Sequence, residues 1–242
     1  MKISYASLTQ PGPRPMNEDF LDCWTMVQGE VVACVADGLG GMGGGEIASK
    51  LAVTKFKDYL MSNGVSEKTL HEAVRLSHSS ILTAQQDSSA ARMATTLTAV
   101  ALSGNKILGV HCGDTRAVIV RGNGIKRLTK DHSEGQRLFD AGKISKDELI
   151  NYPRKHILES ALGDQEEPQI DPIWFDLLPG DRIILTTDGV HDLLLLRKMR
   201  SLCENSDSPD RLIQLVSSEV GALGPTDNYS MIALFADKGP NS

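Results

Sequence analysis

Cysteine is scarce and unpatterned. Cys23, Cys34, Cys112 and Cys203 are scattered over 242 residues with no C-x-x-C pair. That removes a disulfide framework and a cysteine zinc site as organising devices. Cys34 and Cys112 sit in apolar runs, where a thiol is a small buried side chain in a reducing compartment. Positive charge is also short: 25 Lys and Arg against 31 Asp and Glu leave a net charge of -6, the wrong sign for a nucleic-acid backbone partner. No apolar run approaches the ~18 residues that a membrane-spanning helix requires, so no membrane insertion is expected. The first residues, Met-Lys-Ile-Ser-Tyr-Ala-Ser, have no apolar core of a signal peptide, so a soluble, cytoplasmic protein is expected. Repeats and low-complexity linkers are absent as well, which predicts one domain over residues 1–242.

What the chain does have is concentrated at residues 30 to 49. An apolar run from Val31 to Ala36 stops at Asp37, six glycines fill positions 38 to 45, and an amphipathic pattern starts at Glu46. That order predicts a buried strand, a loop with little side chain, then a helix. Glycines let a backbone approach a small ligand closely, and Asp37 sets a carboxylate at the mouth of that approach. Two readings compete for the loop. Gly38-Leu39-Gly40-Gly41-Met42-Gly43 satisfies the G-x-G-x-x-G spacing of a dinucleotide site, and Asp58 lies about 20 residues on. Against it, Asp58 falls within the helical stretch, and Asp37 would repel a pyrophosphate. In the other reading Asp37 faces a cation.

Along the chain, residues 2 to 8 alternate as a strand. The loop 10 to 19 is stiffened by Pro11, Pro13 and Pro15 and presents Arg14, Asn17, Glu18 and Asp19 as a fixed group. Residues 20 to 27 and 30 to 36 form a hairpin around Gln28-Gly29. A helix over Glu46 to Met61 places Ala48, Ala52, Phe56 and Leu60 inward. A second helix, capped by Ser66, does the same with Leu70, Ala73, Val74 and Ile81. Strands over Thr95 to Leu102, Lys106 to Cys112 and Arg116 to Val120 follow through short links as an antiparallel meander. The segment 131 to 163 is polar, mixed in charge and an excursion from the core. Strands resume at Gln169 to Leu177 and Arg182 to Thr187. A helix is expected over Asp192 to Cys203. Another begins at Ser208-Pro209 and stops at Gly221, and the last strand is Tyr229 to Phe235. Strands, two helices, then strands again make an α+β order rather than alternating βαβ units.

Asp37-Gly38 and Asp188-Gly189 each end an apolar strand, and Asp227 precedes one. If these carboxylates converge with Glu18 and Asp19, their repulsion needs divalent cations to resolve it. Oxygen-only donors suit Mg²⁺ or Mn²⁺ rather than zinc.

Five short motifs occur in order: R-x-x-N-E-D at 14 to 19, V-A-D-G-L-G-G at 35 to 41, G-D-T-R-A at 113 to 117, L-T-T-D-G-V at 185 to 190 and T-D-N at 226 to 228. In this set and order the chain resembles the metal-dependent serine/threonine protein phosphatases of type 2C, bacterial members in particular. The resemblance implies an αββα fold: two antiparallel β-sheets packed as a sandwich, flanked by helices on both sides, with a flap at about 131–163. It implies two core Mn²⁺ or Mg²⁺ ions and a weaker third. Asp37 corresponds to the carboxylate that bridges the ions, and the Gly38 carbonyl to a further ligand. Asp188 and Asp227 correspond to ligands of one ion, with Glu18 and Asp19 acting on the other side, in part through waters. Asp114 matches the position that holds the third ion with help from Asp188. Arg14 resembles the residue that grips the substrate phosphate, a task suited to a guanidinium fork.

The implied catalytic residues are Arg14, Asp37 and Asp188. The implied reaction is direct hydrolysis, by a water between two ions about 3.5–4 Å apart, of a phosphoprotein made by a bacterial Ser/Thr kinase. A monomer is expected. Animal members carry His after the Asp-Gly as acid for the leaving alkoxide, where this chain has Leu39. His132 and His191 are then the nearby candidates, and each reads equally as a solvated or structural histidine. Ala94 replaces a frequent glycine, a packing change. Arg154-Lys155-His156 is either a contact for an acidic phosphopeptide or a solvated charge run. The alternative from another class, a catalytically silent phosphatase-like binding module, calls for a missing bridging carboxylate, and none is missing.

Overall fold

The computed structural model describes residues 1–40, 43–87 and 92–238. Gly41 and Met42 of the glycine-rich motif lie outside the described residues. In chain order, the first half holds β1 (Lys2–Gln10), β2 (Phe20–Thr25), β3 (Val31–Ala36), β4 (Gly38–Leu39), α1 (Gly45–Asn63), α2 (Glu67–Asp87), β5 (Ala94–Thr95) and β6 (Leu97–Ser103). Then come β7 (Lys106–Cys112), β8 (Arg116–Arg121), β9 (Gly124–Arg127), α3 (Glu134–Asp140), α4 (Lys146–Ile150) and β10 (Asp171–Asp176). The chain closes with β11 (Arg182–Thr186), α5 (Asp188–His191), α6 (Leu196–Glu204), α7 (Pro209–Leu223) and β12 (Tyr229–Asp237).

Two five-stranded sheets carry the fold, in orders β1-β12-β11-β8-β9 and β10-β7-β6-β3-β2, beside a small β4-β5 pair. Every pairing between these strands is antiparallel. That rules out the parallel βαβ unit a dinucleotide site requires and decides the loop reading for the cation.

Strand β3 shows how sequence sets the layers. Val31, Ala33 and Val35 point into the seam between the sheets, with Ile119, Ile183, Leu185, Ile232 and Leu234. Val32, Cys34 and Ala36 point the other way, onto Ala48, Ala52 and Phe56 of α1 and Leu70 of α2. Side chains alternate across a strand, so a strand buried on both faces reads as one continuous apolar run. The other sheet repeats the arrangement: Val118, Ile184, Met231 and Ala233 meet Met199 of α6 and Leu212 and Val216 of α7. The result is αββα, as expected. Each fully buried Leu, Ile or Phe on these stripes contributes about 2 kcal/mol.

Several boundaries differ from expectation. β1 runs on to Gln10 because β12 pairs with it along its whole length, from Lys2 opposite Asp237 to Gln10 opposite Tyr229. The helix expected over Asp192 to Cys203 begins only at Leu196, as α6, after an extended Leu195, and a separate one-turn helix, α5, precedes it at Asp188–His191. One straight helix could not both present Asp188 at the sheet end and lay Met199 and Leu202 on the sheet face. α7 is capped by Ser208 Oγ, which accepts the Arg211 N–H, with Pro209 in the first turn. It continues past Gly221 and ends at Gly224, which adopts φ +74°. Gly221 stands in open space and gives the chain no reason to stop there. The excursion 131 to 163 contains α3 and α4; a bridge of Ser133 with Leu158 joins its two arms, and one of Thr95 with Leu162 anchors its end to the core. All four cysteines are free, and no helix among the described residues is long and apolar enough to cross a membrane.

Candidate metal centre and active site

A cleft of 610 Å³ opens at one end of the sandwich. Its walls include Arg14 and Glu18 from the β1–β2 loop, Asp37 and Gly38 from the end of β3, Asp114 from the β7–β8 link, Asp188 from the start of α5, and Asp227 from the link into β12. Of the residues implied as ligands or phosphate contact, only Asp19 is set behind the wall, being buried.

Asp37 is fixed through its backbone. Its N–H donates to Thr96 Oγ1 at 2.9 Å, and its carbonyl accepts from Thr96 N–H at 2.9 Å and Thr95 Oγ1 at 2.8 Å. This threonine pair, with β5 lying against β4, holds the first residue of the glycine loop in place. Sequence reading missed it, because two-residue strands have no periodicity to show. Ala94 is opposite Leu39 in that pairing, consistent with a packing change.

Asn228 organises the opposite wall. Its Oδ1 accepts the Glu18 N–H at 2.8 Å, and its Nδ2 donates to the carbonyls of Pro11 at 2.8 Å and Met16 at 2.9 Å. The proline-stiffened loop is therefore tied to the residue beside Asp227. Gly12, at φ +58°, is required there, since a Cβ would land on the Asp227 carbonyl. Arg14 donates from Nη2 to Asp227 Oδ2 at 2.8 Å and from Nε to the Thr226 carbonyl at 3.2 Å. Asp19 Oδ2 accepts from Thr187 Oγ1 at 2.8 Å, which couples it to the residue before Asp188. Gly40 and Gly45 make room for Glu18, whose carboxyl fills the space a side chain at either position would need.

Asp114 follows Gly113, a residue clasped twice by His132. The His132 N–H donates to the Gly113 carbonyl at 2.7 Å, and its Nδ1 accepts the Gly113 N–H at 3.1 Å. His132 Nε2 lies 3.2 Å from Asp171 and its ring 4.7 Å from that of His111. His191 Nδ1 is bonded to Thr186 Oγ1 at 3.0 Å, and burial pulls its pKa well down. Neither histidine lines the cleft. Both are structural.

The histidine that does line it is His156, with Nδ1 3.7 Å from Asp188 Oδ2. Its neighbours are spoken for: Arg154 pairs with Glu134, and Lys155 Nζ is 2.9 Å from Asp192 Oδ2. Each member of the basic triplet thus faces a carboxylate, and only the third lines the cleft. Asp192, Leu158 and Leu193 also line it, and nothing in their sequence context marked them.

The carboxylates repel one another. Asp37 is pushed well above the usual range, first by burial and then by Asp19, Asp188, Asp114 and Asp227. Asp19 is pushed up to about 7, chiefly by burial against the hydrogen bonds from Ser230 and Thr187. Asp114 is pushed up to about 8 by burial and Asp188. Glu18 is raised by burial and then by Glu46 and Asp227. His156 is raised by the nearby carboxylates of Asp188 and then Asp192.

The donors fit a hard divalent cation. They are all oxygen, no cationic side chain forms an ion pair with Asp19, Asp37 or Asp114 among the described residues, and Asp19 Oδ1 is buried with no hydrogen-bond partner. No three His, Cys, Asp or Glu side chains among the described residues already surround a common point. Two of the carboxylates are turned toward Arg14 and His156 instead. Mg²⁺-type sites retain several waters and take few protein ligands, so a closed cage is not what they require.

Residues 15–219 match the family profile described as Protein phosphatase 2C. Protein phosphatase PhpP of Streptococcus pneumoniae is 29% identical, over 91% of this chain and 93% of that one. The serine/threonine phosphatase structure from S. agalactiae superposes with a TM-score of 0.90 at 26% identity, covering 98% of this chain and all of that one. A PstP catalytic-domain structure in complex with two manganese ions gives 0.85 at 26% identity, with 98% and 99% covered.

Proposed function

The chain belongs to the protein phosphatase 2C family and is a Mn²⁺- or Mg²⁺-dependent serine/threonine protein phosphatase; we propose that Asp37, the Gly38 carbonyl, Asp188 and Asp227, with Glu18, Asp19 and Asp114, hold its ions, and that Arg14 grips the substrate phosphate. The observation that carries this assignment is the meeting of Asp37 with four other aspartates, each of which raises its pKa, at the foot of one cleft. Such a crowd is relieved by protonation or by a cation, and the all-oxygen donor set opening onto the cleft fits a hard cation.

The divalent ions supply Lewis acidity and positive charge at the phosphoryl group, and they acidify a water. The chain's own residues do the rest. Thr95 and Thr96 fix Asp37 at the strand end, and Asp188 is presented by the first turn of α5. Arg14 leaves Asp227 to hydrogen-bond the phosphoryl oxygens, which its planar fork can engage in pairs. Asn228 supports the loop and is not a ligand, since all of its polar side-chain capacity toward that wall is used on Glu18, Pro11 and Met16.

The substrates are phosphoproteins, and we assign them to a bacterial-type Ser/Thr kinase. The remaining assignments are a single catalytic domain over 1–242 with the flap at about 131–163, a monomer, and a cytoplasmic location. The test is hydrolysis of a phosphothreonine peptide with Mn²⁺, with EDTA, and by Asp37→Asn. Mn²⁺-dependent turnover lost in Asp37→Asn is expected. An active Asp37→Asn variant would remove the site assignment.

A further inference from the structure

We propose that His156 is a substrate-binding residue carried by the flap, resting on Asp188 while that carboxylate has no ion and turning to the substrate phosphoryl group once an ion takes it. The inference rests on the phosphatase reading and adds a second phosphate contact to the same site.

Arg14 and His156 are the basic side chains lining the cleft, and they come from different segments, the β1–β2 loop and the flap. Each rests on a carboxylate assigned to an ion: Arg14 Nη2 lies 2.8 Å from Asp227 Oδ2, and His156 Nδ1 lies 3.7 Å from Asp188 Oδ2. An ion that claims Asp188 removes the acceptor that His156 faces. The ring is more than half exposed, so nothing packs it in place. The other carboxylate near the ring, Asp192 Oδ2 at 4.0 Å from Nε2, is already engaged by Lys155, so a phosphoryl oxygen entering the cleft competes for the imidazole N–H. A neutral imidazole carries such an N–H, so the contact does not depend on the ring being charged.

Two features keep the flap where this exchange is possible. Asp188 and Asp192 are four residues apart, hence on one helical face, and the adjacent flap residues His156 and Lys155 meet them in turn. The Lys155–Asp192 pair, at 2.9 Å, holds the flap backbone beside the cleft, so His156 needs only a side-chain rotation. Arg154 cannot substitute, because Glu134 holds it on the far side of the flap.

The experiment compares wild type, His156→Ala and His156→Gln by calorimetric Mn²⁺ titration and by steady-state rates on p-nitrophenyl phosphate and a phosphothreonine peptide. Removing a partially exposed competitor for Asp188 should tighten Mn²⁺ binding about two- to five-fold in His156→Ala. The same variant should raise KM about five- to ten-fold on both substrates, as expected for one lost hydrogen bond at a solvent-exposed position, with kcat within about two-fold. His156→Gln, which keeps an N–H donor, should recover part of the KM. An active wild type with unchanged KM and unchanged Mn²⁺ affinity in His156→Ala would overturn this inference alone. A wild type without Mn²⁺-dependent hydrolysis would overturn the phosphatase reading and this inference together.

Discussion

Asn228 accepts the backbone N–H of Glu18 across 210 positions of sequence, at 2.8 Å. Through this bond and its two amide bonds to Pro11 and Met16, one side chain sets the height of the loop that carries Arg14 and Glu18. Asn228→Ala should destabilise the protein by about 1–3 kcal/mol, the cost of leaving buried backbone groups unpaired. It should also raise KM through Arg14. Urea unfolding together with kinetics checks both, and a variant with wild-type KM would show that the loop holds its place without the asparagine.

The metal-free protein should lose stability as pH rises through neutrality. Asp19 is pushed up to about 7 and Asp114 to about 8, whereas unfolded carboxylates ionise near 4. Between those limits the native state binds more protons than the unfolded chain, so stability falls with rising pH. The contribution is full below about pH 4 and gone above about pH 8. Burial drops His111 to about 4, and that acts in the opposite direction, weakening the fold as pH falls below the usual histidine range. Buried His78 and His191 act the same way, and the four thiols, all raised by burial, add a fall only from about pH 8.5, so melting in EDTA between about pH 7 and 8 is dominated by the carboxylates. Mn²⁺ should reverse the slope, because ligands bind as carboxylates. A metal-free melting temperature that climbs across this window would contradict the crowding.

Arg14→Ala should act mainly on KM for small aryl phosphates, since the role proposed for the guanidinium has it meet the phosphate before and during reaction. Because Arg14 also rests on Asp227, the variant should bind Mn²⁺ no more weakly than wild type. A large fall in kcat at constant KM would place its action chiefly in the transition state.

Asp114→Ala should leave the tight metal pair nearly intact while lowering kcat and raising the Mn²⁺ concentration needed for activity. Asp114 comes from a separate link and reaches the cleft beside Asp188, so an ion held there has few protein ligands. The loss should be greater for a phosphopeptide than for p-nitrophenyl phosphate, whose leaving group barely needs a proton. Titration of both proteins tests this, and loss of the tight sites would make Asp114 a core ligand.

Most of the sandwich was legible because β3, β6, β11 and β12 bury both faces and announce themselves as apolar runs. The motif carboxylates were legible because each ends or precedes such a run. What sequence could not show was partnership at a distance. His156 reads as one of three basic residues until Glu134 and Asp192 take the other two. Thr95 and Thr96 look like ordinary strand residues until Asp37 lies beside them. The break between α5 and α6 was hidden inside Leu193 to Leu196, whose uniform apolarity has no phase. His132 and His191 were weighed as acids, yet their surroundings bind them into the fold.

The lengthwise pairing of β1 with β12 joins residues near opposite ends of the sequence, and the loops beyond it bring Arg14 to Asp227. Such a contact is about as non-local as this chain allows, and topologies of that kind fold slowly. During synthesis, β1 has no neighbour in its sheet until residues 229–237 emerge. A nascent chain already carrying Asp37, Asp114 and Asp188 therefore still lacks the strand that sets Arg14 against Asp227. Turnover should switch on only with the last strand.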